Sequence, residues 1–216
     1  MHAKDEVMAA AVALVAVQTR YACVGVSLAQ AALAGARACV ELQHYPAGDV
    51  LDEASGTEFY YHAHGSRRRP QAEHGHFHVF KRLAGADPHF CHVVALSLDD
   101  RGLPLRWFVT NRWVTGERWV AADTLLHWLP GLRPAARGRL APVARWLAAM
   151  LVLEAGPIAA LLRQRDRVVT RRGAGQALDA LLEDRRLDVL AERAIDLPRR
   201  LARLAGLPPD RPRVRP

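Results

Sequence analysis

Two stretches, TEFYYHAH (Thr57–His64) and EHGHFHVF (Glu73–Phe80), decide the fold of this chain. In both, histidines recur at every second position and alternate mainly with apolar and aromatic residues. A period of two is typical of β-strands, and the polar segment between the two stretches, rich in Gly, Arg and Pro, is typical of a loop. The sequence therefore predicts a β-hairpin with residues 65–73 as its loop. Arg67, Arg68 and Arg69 would lie at the tip, either solvated or holding an anionic group.

The hairpin carries five histidines at even-numbered positions, so that all five share one face of the predicted strands. They are His62, His64, His74, His76 and His78. A symmetric hairpin pairs His62 with His76. The same symmetry pairs His64 with His74, and it places Tyr60 opposite His78. Directly paired side chains lie about 5 Å apart at Cβ, close enough for several imidazoles to reach one ion.

Acidic residues and further histidines lie near these strands. Glu58 has the same parity as the histidines and is a candidate carboxylate ligand, whereas Glu73 has the opposite parity and is predicted to face away unless the loop redirects it. Whether Glu58, His44 or His92 joins the cluster depends on the order of the strands, which the sequence does not fix.

A neutral imidazole offers an exposed lone pair, and several imidazoles side by side are destabilised when protonated. The cluster therefore predicts a transition-metal site, with zinc or iron first and copper, nickel or manganese as alternatives. The predicted ligands are His62, His64, His74, His76, His78 and Glu58. The predicted catalytic residues are His74, His76 and Arg112.

Arg112 is included because it lies in the unusual stretch NRWVTGERW (Asn111–Trp119), where it would bind a carboxylate or phosphate or stack on a tryptophan. Three functions stay open. The first is a metal-dependent oxidoreductase or hydrolase, the second is a non-catalytic metal-binding or sensing protein, and the third is a metal-free nucleotide hydrolase that uses a histidine.

The rest of the chain predicts an α+β fold, with one or two N-terminal helices, an antiparallel meander and C-terminal helices packing on the sheet. HYPAGD (44–49) is predicted to be a turn, RWV (118–120) to follow another turn within the meander region, and LDVLA (187–191) to be a short strand returning to the sheet. The predicted segments are a helical segment 1–43, a histidine-rich sheet 44–122, a helical region 123–206 of the same domain and a flexible tail 207–216.

The net charge of +8 lies in the C-terminal part of the chain, where arginines prevail. These arginines have few aromatic neighbours and match no nucleic-acid motif, which favours a solvated helical surface over nucleic-acid binding. Three cysteines without a CxxC pair favour a reducing compartment, and the apolar run from Val7 is too short to cross a bilayer. We expect a cytoplasmic protein with a small-molecule substrate and no membrane insertion; a homo-oligomer stays open.

Two known motifs are similar to parts of this region. GTEFYYHAH (56–64) resembles the first half of the cupin motif, which implies a β-barrel metal site, although eight residues separate His64 from Glu73 and no second cupin motif follows. HGHFHVF (74–80) resembles the histidine-triad signature, which implies that His76 attacks a nucleotide phosphate. In this chain Gly75 occupies one of the apolar positions, and a long segment follows.

A broader resemblance covers His44 to about Glu117. The combination HYPAGDV, YYHAH, EHGHFHVF and NRWVTGE resembles a bacterial family known only as a domain of unknown function. This resemblance implies no established activity or cofactor, so the expected function rests on the residues themselves.

Overall fold

The computed structural model of the chain describes residues 3–64, 72–85, 87–175 and 177–208. Six strands form one antiparallel sheet, and each strand pairs with the next along the chain. The strands are β1 (Tyr45–Asp52), β2 (Thr57–His62), β3 (Gly75–Leu83), β4 (His89–Leu98), β5 (Pro104–Thr110) and β6 (Val189–Ala194). The helices are α1 (Ala3–Cys23), α2 (Leu28–Ala32), α3 (Arg112–Thr115), α4 (Ala122–Trp128), α5 (Ala141–Leu153), α6 (Ala155–Arg172), α7 (Leu178–Leu182) and α8 (Leu197–Leu204). This order confirms the predicted α+β class.

The main hydrophobic core lies between one face of the sheet and the helices. Phe59, Phe77 and Trp107 point from the strands into this core, where they join Leu14 of α1 and Leu147 of α5. Burying an apolar side chain of this size contributes about 1.5–3 kcal/mol. Because side chains alternate along a strand, burying the odd-numbered residues of β2 and β3 under the helices sends the even-numbered residues to the opposite face.

The register of the hairpin matches the symmetric arrangement. His62 pairs with His76, and Tyr60 pairs with His78. A bulge between Val79 and Phe80 shifts the pairing of β3 with β4, so that Phe80 lies opposite His92. The histidines of three consecutive strands therefore meet on the sheet face that turns away from the main core.

The prediction of a turn at HYPAGD was wrong, because these residues belong mostly to β1. The strand is bulged: Tyr45 pairs with Tyr61 and Val50 with Phe59, so four residues of β1 oppose a single one of β2. Within the bulge, Gly48 has φ 105° and Asp49 has φ 54°. The turn-forming residues of HYPAGD therefore form a bulge within a strand, and they do not end the strand.

The segment after β5 leaves the sheet. Asn111 accepts a hydrogen bond from the Arg112 N–H and begins the short helix α3, and Gly116, at φ 66°, ends it. Arg118–Val120 is therefore not a strand of the meander. The sheet is completed instead by β6, which confirms the strand predicted at LDVLA, with its bounds shifted by two to three residues.

Helix α1 is the longest described helix, with 21 residues, and it is largely apolar. By length and composition its segment Lys4–Cys23 is able to cross a membrane, a property that core helices and signal sequences share. One of its sides packs on the core through Leu14 and Val17. Of the predicted tail, residues 209–216 lie outside the described part of the chain.

Candidate metal centre

Three histidines from the hairpin converge on one point. His62 comes from β2, and His76 and His78 come from β3. One possible ligand atom of each lies within 4.8 Å of those of the other two. The side chains are buried, with 7%, 2% and 1% exposure respectively. The closest approach joins Nε2 of His62 to Nε2 of His76, at 2.8 Å.

This geometry suits a metal ion. Nitrogen ligands bind zinc at about 2.0–2.1 Å and therefore lie about 3.3 Å apart in a tetrahedral site, so small side-chain rotations are sufficient. Nδ1 of His62 and Oγ of Ser97 are buried and lack hydrogen-bond partners among the described residues. Ser97 pairs with His76 across β3 and β4. An unpaired buried polar atom costs about 1–3 kcal/mol, so these two atoms call for a partner that the described residues do not supply.

Glu73 holds the ring of His76. Its Oε1 lies 2.6 Å from Nδ1 of His76, and Arg106 Nη2 lies 3.5 Å from Oε2. Burial raises the pKa of Glu73, but the hydrogen bond and charge of His76, with Arg106, outweigh burial and leave this pKa lowered. When Nδ1–H of His76 donates to the carboxylate, Nε2 keeps its lone pair, which is the usual arrangement behind a metal-binding histidine.

The prediction that Glu73 faces away was therefore wrong. The residue precedes β3, which begins at Gly75, so strand parity does not apply to it. Its side chain is 4% exposed and turned towards the cluster.

A second chain of contacts supports His78. Its Nδ1 lies 3.0 Å from Nε2 of His92, and Nδ1 of His92 lies 3.3 Å from Oγ1 of Thr110. If each Nδ1–H donates to the next acceptor in this order, Nε2 of His78 keeps a lone pair for a metal. No sequence pattern indicated that Thr110 lies near the site. His92 was a candidate member of the cluster because it lies on the third predicted strand.

Burial keeps these histidines neutral. Desolvation, followed by repulsion from neighbouring histidines, lowers the pKa of His62 to about 2 and that of His78 well below its ordinary value. Desolvation, followed by the charges of Arg165 and His76, lowers the pKa of His92 to about 3. Neutral imidazole is the form that binds metals, so the environment favours ligation at neutral pH.

Two further histidines border the cluster on its more exposed side. The ring of His64 lies 5.0 Å from that of His62 and 5.3 Å from that of His76, measured between centroids. The ring of His44 stacks on Tyr60 at 3.6 Å and lies 5.6 Å from that of His62. His64 is therefore close enough to serve as a fourth ligand after a modest movement.

His74 is not brought to the cluster. Its Nδ1 lies 2.8 Å from the hydroxyl of Tyr61, whose ring belongs to the helix-facing core. At the next residue, Gly75, the backbone passes close to β2. A Cβ on Gly75 would lie 2.7 Å from the His62 carbonyl oxygen. His74 precedes β3, so strand parity does not fix its direction, and its contact with Tyr61 contradicts the prediction from parity.

Glu58 is engaged elsewhere. Its two carboxylate oxygens accept hydrogen bonds from Nε and Nη2 of Arg82, at 2.6 and 2.8 Å. This bidentate pair explains why Glu58 does not join the histidines, although it shares their face. The predicted anion contact at Arg67, Arg68 and Arg69 lies outside the described residues.

Arg112 also lies away from the cluster. Its guanidinium donates to Glu183 Oε1 and to Asp179 Oδ1, both at 2.8 Å. These contacts attach α3 to α7 and to the turn after it, which is a structural role and not the predicted catalytic one.

We expect Arg112→Ala to lower the free energy of unfolding by about 1 kcal/mol or less, because both acidic partners are largely exposed. Urea unfolding measures this change. Metal content and any activity should equal those of the wild type. A loss of either would show that Arg112 contributes to the site.

Comparison with known proteins places the whole sheet in one family. Residues 8–195 match a family model described as Domain of unknown function (DUF6969). The chain belongs to this family. No curated protein and no solved structure matches the chain significantly. The DUF6969 region includes all six strands, so the histidine cluster lies within it.

Proposed function

We propose that this protein is a metal-dependent enzyme whose ion is held by His62, His76 and His78. The observation that carries the proposal is the convergence of three buried imidazoles with their ligand atoms within 4.8 Å of one another. Zinc and iron suit such a set best, and copper, nickel and manganese are the alternatives.

Three histidine ligands leave coordination positions for water or substrate, which is typical of catalytic sites. An ion there would supply Lewis acidity and lower the pKa of a bound water. The chain's own groups would orient the ligands: Glu73 fixes His76, and His92 fixes His78. The reaction would be hydrolytic with zinc, or oxidative with iron.

The proximity of His64 favours a second candidate, a non-catalytic metal-binding or sensing protein. Four imidazoles would saturate a tetrahedral ion and exclude substrate. Absorption spectra of the cobalt-substituted protein separate the two candidates. An open site changes its spectrum when azide is added, whereas a closed four-histidine site does not, and His64→Ala would then open it.

The metal-free nucleotide hydrolase is the weakest of the three functions. The two ring nitrogens of His76 face Glu73 and His62 at hydrogen-bond distance. His76 is also only 2% exposed, so a nucleotide phosphate has no open approach to its ring.

The proposal is tested by metal analysis of the protein purified without a histidine tag. We expect about one equivalent of a transition metal, or uptake of one equivalent of zinc or iron with a rise in melting temperature. His62→Ala should abolish both effects. His127→Ala, at an exposed position outside the cluster, is the matched control. The proposal fails if the wild-type protein neither contains nor takes up a stoichiometric ion.

We also propose a cytoplasmic location. Cys23, Cys39 and Cys91 are all free, as expected in a reducing compartment. Mass spectrometry of the protein alkylated without reduction in cell extracts would count the free thiols. Three modified cysteines support the proposal, and a disulfide contradicts it.

A further inference from the structure

A cavity of about 170 Å³ lies beside the histidine cluster, on the same face of the sheet. Its walls include three aromatic rings, those of Tyr60, Phe80 and Phe90. The other lining side chains are polar: His44, Asp49, Glu58, Arg82 and Thr115. None of the three proposed metal ligands lines it. An apolar cavity of about 150 Å³ holds one benzene molecule, so this one has room for a single ring with a small substituent.

The rings form flat surfaces at the border with the cluster. Tyr60 lies 5.2 Å from the ring of His78, and Phe80 lies 5.2 Å from that of His92. Phe90 meets Phe80 edge to face at 5.6 Å. Aromatic walls arranged in this way favour an aromatic guest, because rings pack on one another by stacking and by edge contacts.

The polar groups of the cavity select the substituent. Asp49 binds His44 Nδ1 through Oδ1, at 2.9 Å, and no described residue binds its second oxygen. The hydroxyl of Tyr60 likewise has no partner among the described residues. The guanidinium of Arg82, which also lines the cavity, is bound to both oxygens of Glu58, so Asp49 is the lining carboxylate with an unpaired oxygen. A donor on the guest is therefore favoured, and an anion is disfavoured.

The backbone of β1 supports this assignment. Asp49 adopts φ 54°, a left-handed conformation that is unfavourable for most residues with a side chain. The bulge around it brings its carboxylate to His44 and to the wall of the cavity.

We propose that this cavity binds a single-ring aromatic molecule whose substituent donates a hydrogen bond, the class of phenols and aromatic amines. The assignment goes beyond the metal site, because binding requires neither the ion nor its ligands. The guest would lie next to the cluster, with Tyr60 and Phe80 contacting both.

The test is titration of the chelator-treated full-length protein with phenol, followed by NMR or calorimetry. We expect saturable binding of phenol and of aniline, at least tenfold tighter than that of benzoate or cyclohexanol. Cyclohexanol lacks the flat ring, and benzoate carries a negative charge. Equal binding of all four probes, or no saturable binding of phenol, would overturn the proposal.

Two conservative variants locate the site. Phe90→Leu keeps an apolar wall but loses the ring, and should weaken phenol binding several-fold. Asp49→Asn keeps the size of the side chain and removes its charge, so it should reduce the preference for phenol over benzoate several-fold. Asp100→Asn, on a distant surface turn, is the matched control and should change neither. Phe90→Leu and Asp49→Asn are compared with the wild type at equal folded fraction, judged by circular dichroism. The site would be refuted if phenol affinity and selectivity were unchanged in both variants.

Repeating the phenol titration with His76→Ala distinguishes failure of the cavity proposal from failure of the metal proposal. Phenol binding should persist in this variant while metal binding is lost. Loss of phenol binding in folded His76→Ala would place the phenol at the histidines and refute a separate cavity site. An absence of metal in the wild type leaves the phenol result unaffected.

Discussion

Replacing His76 with alanine is expected to weaken metal binding by roughly a hundredfold to a thousandfold. Structural zinc sites gain about 10–16 kcal/mol from four ligands, so one ligand accounts for roughly 2.5–4 kcal/mol. His76 makes the closest approach to another histidine of the set, 2.8 Å between Nε2 atoms. Its loss leaves only two of the three convergent imidazoles. Competition with a chromophoric chelator measures the affinity.

The same substitution should destabilise the metal-free protein. Glu73 is buried, and after the change Arg106, whose Nη2 is 3.5 Å away, would be its one remaining side-chain partner among the described residues. Removing one partner of a buried pair typically costs about 3–5 kcal/mol. Urea unfolding in the presence of a chelator isolates this contribution from that of the metal.

Two variants calibrate these results. Glu73→Gln keeps a hydrogen-bond acceptor for His76 but removes the charge, so the metal affinity should fall only about 10–100-fold. His127→Ala should leave both quantities unchanged. If His76→Ala retained the wild-type affinity while His62→Ala lost it, the ion would be bound by a different set of histidines.

Much of this hairpin follows from the sequence because a strand has a strict period of two. His62, His76 and His78 share a face once β2 and β3 are recognised, and the symmetric loop gives the observed pairing of His62 with His76. The fold class follows from the predicted order of helices, a run of strands and further helices along the chain.

The errors lie where the backbone departs from the ideal strand. Glu73 and His74 precede β3, so their directions depend on the loop and not on parity. The bulge in β1 converts a turn signature into a strand. Glu58 keeps its predicted face, but a salt bridge to Arg82, 24 residues away in sequence, removes it from the site. Long-range partners of this kind leave no local pattern.

Replacing Glu117 with glutamine is expected to remove a large pH dependence from the stability of the fold. Glu117 is 5% exposed, and one of its oxygens, Oε2, lies 2.6 Å from the His92 backbone nitrogen and 3.2 Å from the Thr115 hydroxyl. Burial raises the pKa of Glu117 to about 8, although these hydrogen bonds and the charge of Arg165 act in the opposite direction. The folded protein therefore keeps this carboxyl protonated at neutral pH.

The sign of the effect follows from linkage. Below the ordinary pKa of 4.5 the side chain is protonated in both states, and its contribution to stability is fully present. Between pH 4.5 and about 8 the unfolded chain releases the proton while the folded protein retains it, so stability falls as the pH rises. The total loss is on the order of 4–5 kcal/mol.

Glutamine resembles the protonated carboxyl and can accept the hydrogen bond from His92 N–H, so Glu117→Gln should not lose stability over this range. The difference in unfolding free energy between variant and wild type should therefore grow in favour of the variant up to about pH 8 and then level off. Because all other groups titrate in both proteins, urea titrations at matched pH values cancel their contributions. Glu53→Gln, at an exposed position, should follow the wild-type curve. A constant difference between Glu117→Gln and wild type would mean that Arg165 stabilises an ionised Glu117, and that burial does not control its proton.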